Sequence, residues 1–172
     1  MPVILFETPR LALRPLTLDD TDALLAVLGD PVAMVHYPAP YTREMTVGWI
    51  EWSLRNYAKY GFGLWAVIGK EDGRLIGDCG ITVQQIDGVG REEIGYHILR
   101  ELWKRGYATE AAAGVRDYGF GTLGLKHLIS WMGVDNLASR RVAERIGMTF
   151  EKQTVNRFGG AQVVYGIARP SA

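Results

Sequence analysis

The middle of the chain carries the sequence IGYHILRELWKRGYATEA at residues 94–111. An apolar segment typical of a strand comes first, a short loop with Lys104, Arg105 and Gly106 follows, and small residues then continue as a helix. A helix N-terminus presents free backbone amides and the positive end of the helix dipole. Gly106 lets a ligand approach the backbone closely, and Thr109 adds a hydroxyl. These residues predict an anion site; the alternative is a capped helix with two solvated cations.

Patterns on either side of this segment predict an α+β (mixed α/β) fold. Apolar residues alternate before residue 100, as in an antiparallel meander with an Asp72-Gly73 turn, and strand and helix periods alternate afterwards. We therefore expect a central mixed, mostly antiparallel sheet of about seven strands with about four helices on its faces. The expected strands cover 10–16, 64–70, 74–86, 92–99, 128–134, 150–157 and 162–168, and the expected helices cover 17–28, 42–60, 108–118 and 139–146.

Composition narrows the class of protein. The chain has 172 residues, which predicts a single domain over 1–172. Lys and Arg number 19, as do Asp and Glu, and this zero net charge argues against a general nucleic-acid binder. The apolar runs are too short to span a membrane, and no signal peptide is recognised, so we expect a cytoplasmic protein. The single cysteine, Cys79, and the scattered His36, His97 and His127 predict neither a disulfide nor a metal site.

One glycine motif is misleading. Gly119-Phe120-Gly121-Thr122-Leu123-Gly124 matches the G-x-G-x-x-G pattern of dinucleotide-binding folds. That pattern requires a strand before it and a helix after it. Here a helix is expected before it and a strand after it, so we reject a nucleotide-binding function on this motif. The segment is expected to be a glycine-rich turn from a helix into a strand.

A second polar segment begins at Asn136. Asn136 is placed to cap a helix, with Ser139 in its first turn and Gly147 just after its end. Glu144 follows Arg140 by four residues, so the two side chains can pair on the helix surface. A capped, salt-bridged helix explains this segment without any function.

In their order and spacing, these segments resemble the GNAT superfamily of N-acetyltransferases. The branch they resemble contains the ribosomal-protein N-terminal (alanine/serine) acetyltransferases, and the likeness extends over about residues 8–168. The motifs that carry it are Thr8-Pro9-Arg10-Leu11-x-Leu13-Arg14, Ile94-Gly95-Tyr96, residues 103–111, Asn136-x-x-Ser139 and Glu144-x-x-Gly147-Met148.

The resemblance implies acetyl-CoA as the co-substrate, without a metal. The backbone of Ile98 and Leu99 is implied to pair with the pantetheine arm, Asn136 to hydrogen-bond that arm, and Ser139 to lie near the thioester sulfur. Trp103 stands where many relatives carry Arg or Gln. The amides implied to hold the pyrophosphate are those of Arg105, Gly106, Tyr107, Ala108 and Thr109.

The resemblance also suggests catalytic residues. Glu93 precedes Ile94-Gly95-Tyr96, where family members place a carboxylate, and is our first candidate for the general base. His97 shares its strand face and is the second. As an alternative, Glu93 belongs only to a charged strand start, and His97 is a structural residue. At the position of Ala143, many relatives carry a Tyr that acts as general acid toward the leaving thiolate. Here that role is vacant or taken by Ser139.

The function expected is direct transfer of the acetyl group of acetyl-CoA to a primary amine, either a protein N-terminus or a small molecule. Aromatic residues around Tyr37, Trp49 and Trp52 fall in the segment that walls the acceptor site in such folds, although helical spacing also fits a core. A non-catalytic acyl-CoA-binding or sensing module is the alternative, favoured by Ala143. We expect neither a nucleic acid nor a membrane as partner, and a homodimer is left open.

Overall fold

The computed structural model describes residues 3–171, with four α-helices and eight strands. The helices are α1 (Thr21–Leu28), α2 (Arg43–Tyr60), α3 (Tyr107–Gly121) and α4 (Leu137–Arg145). The strands are β1 (Phe6–Glu7), β2 (Leu11–Pro15), β3 (Leu64–Gly69), β4 (Leu75–Ile86), β5 (Val89–Ile98), β6 (His127–Gly133), β7 (Thr149–Val155) and β8 (Ala161–Ala168).

The expected mixed α/β fold is confirmed, with one more strand than the sequence indicated. The additional strand is β1, which pairs with β2 through Phe6 opposite Leu13 and Glu7 opposite Ala12. Two residues are too few to show an alternating pattern, so this strand leaves no signal in the sequence.

All eight strands form one sheet in the order β1-β2-β3-β4-β5-β6-β8-β7. Neighbouring strands are antiparallel except β5 and β6, which are parallel. Glu93 opposite Ile129 is the register position that joins these two strands. Beyond it the strands part, and we call the space between residues 95–98 of β5 and 131–133 of β6 the wedge. The wedge opens toward the N-terminus of α3.

Helices pack on both faces of the sheet. Buried residues of α3 and α4, such as Val115 and Ala143, share one core with Ile94 and Ile98 of β5. A second core, on the other face, contains residues of α1 and α2, including Ile50. Since successive side chains of a strand point to opposite faces, Glu93 and His97 are turned toward the α2 side. β5 thus gives apolar side chains to the first core, and on the other face its His97 contacts Tyr37 and Trp49.

The glycine motif at residues 119–124 belongs to the end of α3 and the turn that follows. Gly119 and Gly121 are helical, and Gly124, with a φ of 69°, leads toward β6. A Cβ on Gly119 would lie 2.9 Å from Ile81, so close packing of α3 on the sheet explains this glycine. Helix before strand is the reverse of the nucleotide-binding order. Among the helices within residues 3–171, none is long and apolar enough to cross a bilayer.

Candidate active site

The loop between β5 and α3 presents backbone amides toward the wedge. Lys104 and Gly106 both have left-handed φ values, 63° and 81°, and these turn the chain into α3. Gly106 is the N-cap residue, and no side chain caps the helix there. The amides at the start of this 15-residue helix are therefore open to an anionic ligand, at the positive end of the helix dipole.

The N-terminal part of the chain clamps this loop. The Oγ1 of Thr8 and the backbone amide of Arg10 donate hydrogen bonds of 2.6 and 2.8 Å to Glu110. The Arg10 guanidinium pairs with Glu110 at 2.6 Å, donates to the carbonyl of Arg105 at 2.9 Å and stacks 4.2 Å from the ring centre of Tyr107. Partial burial raises the pKa of Glu110, but these hydrogen bonds outweigh it and leave the pKa below its ordinary value. Glu110 therefore stays ionised, with its charge matched by Arg10.

Sequence reasoning did not find this clamp. Arg10 was expected only at the start of a strand and within a family motif, and about a hundred residues separate it from Glu110. Such a contact has no local signal, because helix and strand periods report only neighbours along the chain.

Part of the backbone at the end of β5 is already used within the chain. The amide of Leu99 donates to the carbonyl of Ile76 at 2.8 Å, and the carbonyl of Ile98 accepts from the indole of Trp103 at 2.8 Å. In an antiparallel pair, alternate residues direct their amides away from the partner strand. Ile98 and Tyr96 are in that position relative to β4, so their amides point to the wedge.

The first turn of α4 forms the opposite side of the wedge. The side-chain oxygen of Asn136 accepts from the amide of Ser139 at 3.2 Å, as expected of an N-cap, so its amide group is left to donate elsewhere. The carbonyl of Ser139 accepts from the Tyr96 hydroxyl at 2.8 Å, which joins α4 to β5. Ser139 is partly exposed, whereas Ala143, one turn further, is fully buried.

Glu93 lies where β5 and β6 separate. Burial raises the pKa of its carboxyl group to about 7, against the lowering effect of the Trp131 amide, the side chains of Gln84 and Thr82, and the charge of His97. A carboxyl group with a pKa near neutrality is suited to accept and release a proton.

His97 is held in a network of buried polar side chains. Its Nδ1 lies 2.7 Å from Oδ1 of Asp78, and its Nε2 lies 2.7 Å from the Tyr37 hydroxyl. The other oxygen of Asp78 accepts from the indole of Trp49 at 2.7 Å. Burial lowers the pKa of His97, but the negative charges of Asp78 and Glu93 outweigh burial and raise it. Sequence reasoning missed Asp78, although a lone Asp in an otherwise apolar strand is a signal for a partnered buried charge.

Cys79 and a metal site were the other chemical possibilities considered from the sequence. Cys79 is fully buried, and burial raises the pKa of its thiol well above the ordinary value. Within residues 3–171, no group of three or more His, Cys, Asp or Glu side chains is arranged to hold a metal ion. The structure thus brings together Glu93 and His97 on one side of the wedge and Ser139 and Asn136 on the other.

Comparison with known proteins identifies the family. The model of the family described as "Acetyltransferase (GNAT) domain" matches residues 10–149, more than half of the chain. The chain belongs to the GNAT acetyltransferase family. It is accordingly an acetyl-CoA-dependent acetyltransferase. It is 37% identical over 159 residues to the protein YkkB of Bacillus subtilis, covering 92% of each chain.

Solved structures of GNAT proteins share the fold. An acetyltransferase from Agrobacterium tumefaciens superposes with a TM-score of 0.82 at 31% identity, covering 97% of this chain and 95% of that one. The ribosomal L7/L12 α-N-protein acetyltransferase RimL, solved with coenzyme A, gives a TM-score of 0.80 at 16% identity, covering 96% and 98%. The second likeness shows the fold alone.

This GNAT acetyltransferase departs from the family pattern at two positions. Trp103 stands where many relatives carry Arg or Gln, and its indole closes the loop between β5 and α3 onto the carbonyl of Ile98. Ala143 replaces the Tyr that many relatives carry, and the core of α3 and α4 surrounds it. Position 143 therefore supplies no proton donor.

Proposed function

We propose that this single acetyltransferase domain, residues 1–172, moves the acetyl group of acetyl-CoA directly to a primary amine. The observation that carries the proposal is the wedge itself. Open helix amides lie at one end of it, and Glu93, a carboxyl group with a pKa of about 7, lies where its two strands part. This arrangement offers a site for the phosphates and a base for the amine in a single cleft.

The cofactor side of the proposal uses backbone groups. The amides from Arg105 to Thr109 hold the pyrophosphate, with Lys104 adding positive charge. The pantetheine arm lies along β5, where the amide of Ile98 is free to pair with it, and the side-chain amide of Asn136 donates from the other side. The amide of Leu99 already donates to the carbonyl of Ile76, so in this proposal Leu99 does not use its amide to pair with the arm.

The chemistry is attack of a neutral amine on the thioester carbonyl. The amine nitrogen forms a bond to that carbon, and Glu93 takes one proton from the nitrogen. A free amide near Ile98 stabilises the oxyanion, since the strand there has parted from its neighbour. When the carbon–sulfur bond breaks, the thiolate takes up one proton, for which the Ser139 hydroxyl is the candidate donor. His97 is the alternative base.

The free energy of amine deprotonation bears on the substrate. At about pH 7, a protein α-amine costs only about 1 kcal/mol to deprotonate and a lysine side chain about 4.6 kcal/mol. A single carboxyl base is therefore better suited to deprotonate an α-amine than a lysine side chain. The acceptor is therefore a protein N-terminus or a small amine of similar pKa. We place the reaction in the cytoplasm, and the proposal is compatible with a homodimer.

A titration of acetyl-CoA binding tests the cofactor side. Gly106→Trp forces a side chain onto a backbone with a φ of 81° beside Arg10, and we expect it to abolish the micromolar binding expected of the wild type. Gly159→Trp is the matched control, because Gly159 has a φ of 82° in an exposed turn where a Cβ meets nothing within 4 Å. Equal loss in both variants, or no binding by the wild type, contradicts the site.

A second function has one specific observation in its favour. With Ala143 in the usual place of an acid, the chain fits a non-catalytic acyl-CoA-binding or sensing module. A screen of amines and N-terminal peptides against acetyl-CoA separates the two functions. Turnover that depends on Glu93 supports the enzyme, and tight binding without any turnover supports the module.

A further inference from the structure

Asp78 is a buried charge with defined partners. Its side chain is fully buried within β4, and its carboxylate accepts from the Trp49 indole and from His97, each at 2.7 Å. A charged group buried without partners is strongly destabilising, so these two donors account for its presence in the core. They do not account for why a carboxylate, rather than an apolar residue, lies opposite His97 in the sheet.

The geometry constrains the protons on His97. Because Nδ1 faces a carboxylate that can only accept, Nδ1 carries a proton. Nε2 faces the Tyr37 hydroxyl at 2.7 Å, which can donate to a neutral ring or accept from a charged one. Both ring nitrogens are thus partnered whether or not His97 is charged. Nearby charges therefore decide whether the ring is neutral or protonated on both nitrogens.

Glu93 is the other negative group beside this ring. It precedes His97 by four positions, so the two side chains lie on one face of β5 with their Cα atoms about 13 Å apart, and Gly95, which has no side chain, lies between them. The charge of each shifts the pKa of the other. A positive ring at this position therefore contacts the carboxylate of Asp78 directly and faces Glu93 further along the same strand face.

We propose that Asp78, Trp49 and Tyr37 are positioning residues that hold His97 as an imidazolium, and that this cation keeps Glu93 ionised and able to accept the proton of the amine. The proposal rests on the proposed role of Glu93 as the base. It gives His97 an electrostatic task in place of the direct proton transfer first considered for it.

The groups that face this pair come from several elements. Besides Asp78 of β4, the segment between α1 and α2 brings the hydroxyls of Tyr37 and Tyr41, and burial raises the pKa of both. The neighbours from α2, β4 and β6 are the uncharged Trp49, Thr82, Gln84 and Trp131. Just after β5, Arg100 is already paired with Asp30 at 2.9 Å.

Nitrogen NMR of labelled histidine tests the cation without any activity assay. The chain has three histidines, and single His36→Gln and His127→Gln variants assign the His97 signal by elimination. In the wild type we expect both ring nitrogens of His97 to carry protons at neutral pH, with a titration midpoint above its ordinary value of 6.5. A neutral ring in the wild type overturns the proposal, and this result needs no variant in the core.

Asp78→Asn removes the charge and keeps the shape. We expect the His97 midpoint to fall by at least about one pH unit. The acid limb of the kcat/KM profile should shift to higher pH, because Glu93 loses its cation, and acetyl-CoA affinity should stay unchanged. The amine's own pKa cancels when both enzymes are assayed with one substrate.

The two proposals fail separately. An unchanged His97 midpoint and an unchanged profile in Asp78→Asn contradict the positioning role, whatever Glu93 does. Full activity in Glu93→Gln contradicts the base, whatever the state of His97. If Asp78→Asn does not fold, the wild-type nitrogen shifts still decide whether His97 is a cation.

Discussion

The end of the wedge at the N-terminus of α3, which we propose binds anions and call the anion-binding end, and the side that carries Glu93 and His97 hold charge in opposite ways. At residues 104–109 the positive potential comes from backbone amides, and the charged side chains around them, such as Arg10, are partly exposed and pair with each other. Around Glu93 and His97 the charge belongs to largely buried side chains with polar partners. Backbone charge is insensitive to pH, whereas buried side chains titrate. The first end is thus suited to constant binding and the second to proton transfer.

The sharpest way to separate the two regions is Glu93→Gln. We expect kcat to fall at least about 100-fold, because a general base contributes at least that much. Acetyl-CoA affinity, measured by calorimetry, should not change. Glu92→Gln is the matched control, since strand alternation turns Glu92 to the opposite face of the sheet. A comparable fall of kcat in Glu92→Gln would mean that activity depends on the negative charge at the start of the strand, and not on Glu93 as a base.

Ser139→Ala tests the side of the wedge near the thioester. If its hydroxyl donates to the departing thiolate, kcat should fall about tenfold while affinity for acetyl-CoA is kept. Because Ser139 uses its backbone, and not its hydroxyl, to bind Asn136 and Tyr96, the helix cap should survive. Unchanged kcat in this variant leaves the thiolate to be protonated by solvent.

Arg10→Ala tests whether the clamp supports the anion-binding end. It leaves Glu110 uncompensated in the first turn of α3, so we expect affinity for acetyl-CoA to fall about tenfold with kcat at saturation unchanged. Arg43→Ala is the control, because Arg43 forms an exposed pair with Asp22 at 3.1 Å far along the chain from the loop. Retained affinity in Arg10→Ala would assign the clamp to stability alone.

The dependence of stability on pH should differ between the two regions. The pKa of Glu93 is raised from 4.5 to about 7 on folding, so the folded state binds the proton more tightly, and stability decreases as pH rises through this range. Glu93→Gln removes this effect and should be more stable than the wild type above neutral pH, by about 1 kcal/mol after allowance for partial exposure. Chemical denaturation below and above this pH range measures the free energy of unfolding of both proteins. If the two proteins show the same dependence on pH, the pKa of Glu93 is not raised by folding.

Much of the fold followed from local patterns. The caps at Thr42 and Asn136, the left-handed glycines at 61 and 106, and the strand periods located the main elements to within a few residues. The two-residue β1 was missed because it has no period. The turn from β5 into α3 at Gly106 was located for the same reason as the helices, since its backbone geometry is encoded by neighbouring residues.

The sequence by itself determined the order of the elements, the position of the loop that enters α3 and the family to which the chain belongs. Only the tertiary structure decided that Arg10 meets Glu110, that Asp78 and Tyr37 enclose His97, and that Glu93 lies where two parallel strands part. The physical reason is that backbone conformation depends on residues a few positions apart. The charge state of a buried side chain depends on groups that are distant in the chain and become neighbours only on folding.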